Sequence, residues 1–276
     1  MIRYAIITDN SVQGLEEYSY ADVDLYTIEF STKRQINLKS TFEIGGGFFG
    51  TKETIGIDKL PSFESIQELL NSINSNYDEV FCILSAGCIT HLHDFVQETS
   101  KKNHSRANFH LIDSQSLSGG LGHLINMAIR MIHQNKIPGE IDASLRKKIP
   151  NIYTLLGSSN LSVLYASGFI DAGQLIIGEQ HSIIPLFSLE NGQLNSLEKF
   201  KSFQGLLEYL QEFLEEYEKI DQLVFIHPEK SSTSIFQELK QFAHQNNDIN
   251  SLLEIKSNDF LMKLIGTDGF GLILVE

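Results

Sequence analysis

One stretch of the chain places polar and glycine residues where an apolar strand meets a helix. Asp113 and Ser114 follow the strand. Ser118, Gly119 and Gly120 then open a helical stretch. Glycine at a helix start lets backbone N–H groups approach an anion or a polar head closely. The same glycines can serve only to pack a strand against a helix, so both interpretations stay open.

A second stretch places two hydroxyl groups at the end of a buried strand. Ser85 follows the apolar run 79–84, and Thr90 stands at the start of a predicted helix over 90–100. Hydroxyls and free N–H groups at such a position can hold a carboxylate. Ser85 or Thr90 can equally cap the following helix, and this alternative also stays open.

Other patterns lack the spacing that their chemistry needs. The glycine-rich run 45–52 does not have the spacing of a phosphate-binding loop, and no Gly-x-Ser-x-Gly turn marks a nucleophile. His91, His93, His104 and His110 have no carboxylate or thiolate at a familiar ligand spacing. We therefore expect no metal site and no bound cofactor.

Three aspartates are the remaining candidates for catalysis. Asp9 and Asp113 both follow strands, where parallel α/β sheets place their sites, and Asp58 is the third. Aspartates in these positions also cap helices. Because no nucleophile and base form a recognisable pair, we expect the protein not to be an enzyme.

Strands alternate with helices in the first half of the chain, which implies a parallel sheet. Ser62 can cap one of the helices, and Pro150 closes the last of them. The periodicity predicts strands at 4–7, 79–84 and 109–112 and helices at 63–74, 122–133 and 139–148. We assign 1–150 to an N-terminal α/β domain.

The second half is also α/β. A turn at Asn191-Gly192 follows one of its strands and indicates a hairpin, so the sheet is expected to be mixed. The patterns predict strands at 152–157, 182–189, 223–227 and 272–275 and helices at 203–217 and 234–246. We assign 151–276 to a C-terminal domain.

Composition excludes several classes of function. A net charge of −14 over 276 residues disfavours nucleic acid and anionic membrane surfaces as partners. Cys82 and Cys88 are too few for a secreted disulfide framework. The start of the chain has no signal-peptide core, and no run of about 18 apolar residues occurs that could span a bilayer. We expect a cytoplasmic protein.

These segments together resemble the DegV family of bacterial fatty-acid-binding proteins, which includes the FakB proteins. Thr8-Asp9-Asn10 looks like that family's Thr-Asp-Ser, and Asp113-Ser114 followed by 118–122 is the most specific match. Residues 85–90 are similar to its Ser-Ser-x-Leu-Ser-Gly-Thr segment. Two further stretches resemble Leu-x-x-Gly-Gly-Arg-Ile and Leu-Asn-Ile-Lys-Pro-Ile, namely 164–170 and 181–186.

The resemblance implies a two-domain, DegV-like fold that binds a long-chain fatty acid or related acyl lipid without catalysis. The tail would be buried in the first domain and the carboxylate would lie at the domain junction. In that family a partner kinase, FakA, phosphorylates the carboxylate, so a FakA-like fatty-acid kinase is the implied partner. The predicted ligand-binding residues are Asp58, Ser85, Thr90, Ser118, Gly119 and Gly120.

The chain departs from the family at several positions. Asp58 stands where the family has Thr, and its carboxylate would repel an ionised fatty acid unless one of the two is protonated or Lys59 intervenes. Leu264 stands where a His would lie. Phe169 and Ile184 replace an Arg and a Lys, and Arg suits docking on phosphate or an acidic partner. The alternative function is therefore a ligand-free interaction or regulatory protein on this scaffold.

Overall fold

The first part of the chain forms a four-stranded parallel sheet with helices around it. The structure is a computed structural model that describes residues 2–16, 23–29, 62–101, 106–227 and 234–276. The strands lie in the order β2-β1-β3-β4. They are β1 (Tyr4–Asp9), β2 (Val23–Ile28), β3 (Glu79–Leu84) and β4 (Asn108–Asp113). The helices are α1 (Phe63–Asn74), α2 (Gly87–Thr90), α3 (Leu92–Lys101), α4 (Ser118–His133) and α5 (Pro138–Lys148).

Apolar runs and a helix cap explain why these elements form where the sequence predicts them. In both β1 and β3 every residue after the first is buried, as a parallel sheet covered on both faces requires. Helix α1 begins at Ser62, whose Oγ accepts a hydrogen bond from Ser65 N at 3.1 Å. The predicted parallel sheet is confirmed.

The second part forms a six-stranded mixed sheet in the order β11-β9-β12-β5-β6-β7, so the prediction of a mixed sheet is also confirmed. A short parallel pair, β8 with β10, lies apart from it. The strands are β5 (Ile152–Ser158), β6 (Ile184–Glu190), β7 (Gln193–Phe200), β8 (Lys219–Ile220), β9 (Gln222–His227), β10 (Asp248–Ile249), β11 (Leu252–Lys256) and β12 (Gly269–Val275). The helices are α6 (Leu161–Ala166), α7 (Ala172–Gln180), α8 (Phe203–Glu215), α9 (Ser234–Asn246) and α10 (Asp259–Ile265).

The turn between β6 and β7 has the backbone that its sequence predicts. Asn191 and Gly192 have φ values of 52° and 70°. Positive φ at both central residues matches the twist of a tight hairpin, and Asn-Gly is the pair that adopts it most readily. The antiparallel pairing of β6 with β7 confirms the hairpin.

Helix α4 lies between the two sheets and joins them through one apolar core. It contacts β3 of the parallel sheet and β12 of the mixed sheet. Residues of this shared core include Leu121, Leu124, Ile125 and Ile129 of α4 and Val224, Ile226 and Ile273 of the mixed sheet. A 3-10 turn, Ile149–Asn151, leads from α5 into β5. The domain boundary at 150 stays a prediction.

Burial of a histidine at this junction makes the stability depend on pH. His123 Nδ1 lies 3.0 Å from Gln222 Oε1. Burial lowers the pKa of the His123 imidazole below its ordinary value of 6.5, and the charges of Lys148 and Arg130 lower it further. Below pH 6.5 the unfolded chain therefore binds a proton that the folded chain does not, and stability falls as the pH decreases.

We expect His123→Gln to weaken this pH dependence, because glutamine does not titrate. Urea unfolding at pH 7 and pH 5.5 should give a smaller difference in the free energy of unfolding for the variant than for the unaltered protein. If the free energy of unfolding changed by the same amount between the two pH values in both proteins, His123 would not be the source of the pH dependence.

No helix in the described ranges has both the length and the apolar character needed to cross a bilayer.

Candidate functional site

Buried hydroxyl groups gather at the carboxyl ends of the parallel strands. We call this group the hydroxyl cluster, and each of its side chains is at most 1% exposed. Backbone hydrogen bonds tie the loops together, since Ala86 N donates to Ser116 O at 2.8 Å and Ser114 N donates to Leu84 O at 2.9 Å. The carboxyl edge of a parallel sheet is where open α/β folds bind ligands. The cluster consists of Thr8, Ser11, Ser85, Thr90, Ser114, Ser116 and Ser118.

Ser85 and Thr90 are in direct contact. Ser85 Oγ donates a hydrogen bond to Thr90 Oγ1 at 3.1 Å, and both residues are fully buried. Thr90 Oγ1 also lies 3.4 Å from Leu92 N, which donates to it at the start of α3. Thr90 therefore does cap the following helix, as one of the two interpretations expects. This does not exclude ligand binding, because a hydroxyl can accept a hydrogen bond from Leu92 N and still donate its own proton.

The sequence predicts one helix over 90–100, and the predicted start of that helix is wrong. The chain instead forms the short helix α2 at Gly87–Thr90 and begins α3 at Leu92. His91 separates them with a φ of 54°, in the left-handed region that ends a helix. The residue type at position 91 is only a weak signal for this break, because histidine adopts a positive φ more often than most residues but far less often than glycine.

Two of the aspartates considered for catalysis bind backbone N–H groups. Asp9 accepts hydrogen bonds from Ser11 N at 3.0 Å and from Ser85 N at 2.7 Å. Asp113 accepts from Gln115 N at 2.9 Å and from Gly87 N at 3.2 Å. Each carboxylate holds its own loop against a neighbouring one. This arrangement suits a positioning role, because the oxygens are already occupied by donors.

The start of α4 packs closely against its surroundings. A Cβ on Gly119 would lie 2.9 Å from Val224 Cγ1, and one on Gly120 would overlap Ser116 Oγ. Ser118 Oγ donates to Gln13 Oε1 at 2.9 Å. These contacts support the packing interpretation of both glycines. A ligand-binding role for Ser118, Gly119 and Gly120 stays a prediction.

Some predicted residues lie outside the described part of the chain. Asp58 and the glycine-rich run 45–52 fall within 30–61, and His104 falls within 102–105. Of the other histidines, His110 Nε2 lies 2.9 Å from Glu79 Oε2. Among residues that the structure describes, no group of three His, Cys, Asp or Glu side chains is arranged to hold a metal ion.

A small depression lies beside the start of β5. It encloses about 40 Å³, which is room for one or two water molecules. Sites for small organic ligands are several times larger, so this depression does not hold an acyl chain. Its lining residues are Gln115, Ile149, Pro150, Ile152, Tyr153, Glu190 and Asn191.

Apolar side chains occupy the positions where the resemblance places basic residues. Phe169 packs edge-on against Phe187 with ring centroids 5.0 Å apart. Ile184 and Leu264 are buried in the core. Apolar side chains thus occupy all three positions, and none of them can carry a charge.

Sequence reasoning did not select Thr8, Ser11 or Ser116 as members of the site. Ser11 directly follows Thr8-Asp9-Asn10, so the resemblance to Thr-Asp-Ser was a signal that could have indicated it. Ser116 hydrogen-bonds Thr154 of β5 at 2.9 Å between hydroxyl oxygens, a contact across the two parts of the chain. No local pattern predicts such a contact.

A parallel sheet with a polar carboxyl edge, packed through helix α4 against a mixed sheet, defines a two-part α/β protein with its candidate site at the strand ends. The chain belongs to the DegV family. The family model that matches residues 52–276 is described as an uncharacterised protein, DegV family.

Solved structures with this fold cover nearly the whole chain. A fatty acid binding DegV family protein from Streptococcus agalactiae has a TM-score of 0.77 and 19% identity, over 100% of this chain and 99% of that one. The fatty acid kinase (Fak) B3 protein of Streptococcus pneumoniae, loaded with linoleic acid, has a TM-score of 0.74 and 13% identity over 99% of each chain. Identities this low establish the fold alone.

Curated relatives match over a shorter stretch. A DegV domain-containing protein of Staphylococcus aureus (strain COL) is 27% identical over 111 residues, which is 40% of each chain. The chain therefore spans 40% of the length of this relative.

Proposed function

We propose that the protein binds a fatty acid or related acyl lipid, with the carboxylate at Ser85 and Thr90 and the tail buried in the first part of the chain. The observation that carries the proposal is the fully buried contact of Ser85 Oγ with Thr90 Oγ1 at 3.1 Å, at the carboxyl edge of the parallel sheet. Family membership and the fatty-acid-binding proteins that share the fold support it.

The chemistry of this site suits binding rather than bond cleavage. A long acyl tail gains about 0.8 kcal/mol for each CH₂ that it buries, so the tail supplies most of the affinity. Neutral hydroxyls add direction, because a hydrogen bond to a charged oxygen is stronger than one between neutral groups. To bind the head, the Ser85 hydroxyl would turn its proton away from Thr90 Oγ1 and the Thr90 hydroxyl would turn its proton away from Ala86 O. Both would then orient the head without taking part in a reaction.

The proposal extends to Asp58 and to the partner. In the family resemblance Asp58 stands near the head, and its carboxylate would repel an ionised fatty acid unless Lys59 intervenes or one of the two carboxyl groups is protonated. A FakA-like fatty-acid kinase is the partner that would receive the carboxylate at the junction of the two parts. Phe169 and Ile184 offer no charge to it, so such a kinase must bind through other residues.

Organic extraction of the purified protein, followed by mass spectrometry, tests the proposal. We expect close to one acyl chain per protein, and we expect protein stripped on a hydrophobic resin to take up palmitic acid again. The stripped protein before reloading is the control. Absence of acyl species together with no uptake would favour the ligand-free interaction or regulatory protein instead.

A further inference from the structure

The hydroxyl of Ser11 is fully buried and lacks a hydrogen-bond partner among the residues that the structure describes. Ser11 follows β1 at the carboxyl edge of the parallel sheet. Buried hydroxyls are nearly always paired with protein or with ordered water, because an unpaired one loses its hydration without compensation. Ser11 Oγ therefore has an unused donor and unused acceptor sites, at the same sheet edge as the proposed head-binding pair.

One carboxylate connects Ser11 to that pair. Asp9 Oδ1 accepts from Ser11 N at 3.0 Å, and Asp9 Oδ2 accepts from Ser85 N at 2.7 Å. The two serines thus lie at opposite oxygens of a single side chain. Ser85 Oγ continues the chain of contacts to Thr90 Oγ1.

The backbone around Ser11 is held on both sides. Asn258 Nδ2 donates to Ser11 O at 3.4 Å, while Asn258 Oδ1 caps α10 by accepting from Leu261 N at 3.0 Å. The next residue, Val12, forms a parallel bridge with Ser118. The backbone at Ser11 is therefore fixed by one contact from the second part of the chain and by one within the first.

Two other buried hydroxyls without a partner lack this connection. Thr8 directly precedes Asp9 on β1, and successive strand residues point to opposite faces of a sheet. Ser188 lies in β6 of the mixed sheet, away from the parallel strands. Of these three residues, only Ser11 is connected to the Ser85 and Thr90 pair, through its backbone N–H and the carboxylate of Asp9.

We infer that Ser11 Oγ donates a hydrogen bond to the polar head of the bound ligand, as a third hydroxyl beside Ser85 and Thr90. The inference rests on the proposed function. It explains why a buried hydroxyl is retained without a protein partner, and it adds a donor to a site in which Leu264 replaces the family's His.

Binding of palmitic acid to stripped protein, measured by titration calorimetry, tests the role of Ser11. We expect Ser11→Ala to bind about tenfold more weakly, the loss of one hydrogen bond to a charged or polar head. Ser188→Ala removes a comparable buried, unpaired hydroxyl and should bind within about twofold of the unaltered protein. The thermal midpoint of ligand-free Ser11→Ala should be no lower than that of the unaltered protein, because the hydroxyl has no partner to lose.

Three results would overturn the inference. Unchanged affinity in Ser11→Ala would show that the hydroxyl does not contact the head. A lower thermal midpoint in the ligand-free variant would assign Ser11 a structural role. If the unaltered protein takes up no palmitic acid, the proposed function is wrong and the inference about Ser11 is wrong with it. This result differs from the other two, because it is seen without any substitution.

Discussion

Gly122→Ala is expected to lower the free energy of unfolding by about 3 kcal/mol or more. A Cβ at position 122 would overlap the carbonyl oxygen of Gln13 and lie 3.1 Å from its carbonyl carbon. The obstacle is backbone, so no side-chain rotation relieves it. Helix α4 packs on both sheets, and a shift of its first turn therefore disturbs the core that joins them. Urea unfolding monitored by circular dichroism measures the loss.

Gly139→Ala is the matched control, since Gly139 lies in α5 and a Cβ there would meet nothing within 4 Å. Alanine restricts the unfolded chain and favours helix, so this variant should be unchanged or more stable by about 0.5 kcal/mol. Similar free energies of unfolding in the two variants would contradict the close approach of α4 to Gln13.

The double variant Ser85→Ala, Thr90→Val is expected to bind palmitic acid about 100-fold more weakly than the unaltered protein. Each hydroxyl that bonds to an ionised carboxylate is worth about 1.5 to 3 kcal/mol, and the two effects overlap because Ser85 and Thr90 also bond to each other. Both substitutions nearly preserve volume, so the tail should keep its contacts. Titration of stripped protein with palmitic acid gives the affinity.

Thr99→Val is a control for the removal of a buried threonine hydroxyl. Thr99 Oγ1 donates to Phe95 O within α3, and the residue is fully buried. We expect this variant to bind palmitic acid as the unaltered protein does. If the double variant also retained full affinity, the carboxylate would have to bind elsewhere, and the proposed head site would be wrong.

Elements with a uniform local pattern could be predicted from the sequence. The bounds of β3 and α1 agree with the prediction, because a continuous apolar run and a capped amphipathic helix are local signals. Strand β2 at Val23–Ile28 was not predicted, since it is an edge strand with exposed polar positions. Strand β7 was not predicted either, because most of its residues are exposed; only the turn before it was.

The candidate site could be predicted in part. Ser85 and Thr90 were selected by their position after a buried strand, and the structure places them in contact. The two possible roles of Gly119 and Gly120 could not be separated from the sequence, because the answer depends on Val224 and Ser116. Only a folded chain shows which atoms lie against a glycine.

By itself the sequence determined the α/β class, the parallel and mixed sheets, the resemblance to the DegV family and the two hydroxyls at the strand end. These follow from periodicity, turn residues and motif order, which are local properties. The tertiary structure alone decided that Asp9 bridges Ser11 and Ser85, the latter 76 positions away, and that Ser118 meets Gln13 across 105 positions. Such contacts arise when distant segments pack, and no pattern within one segment encodes them.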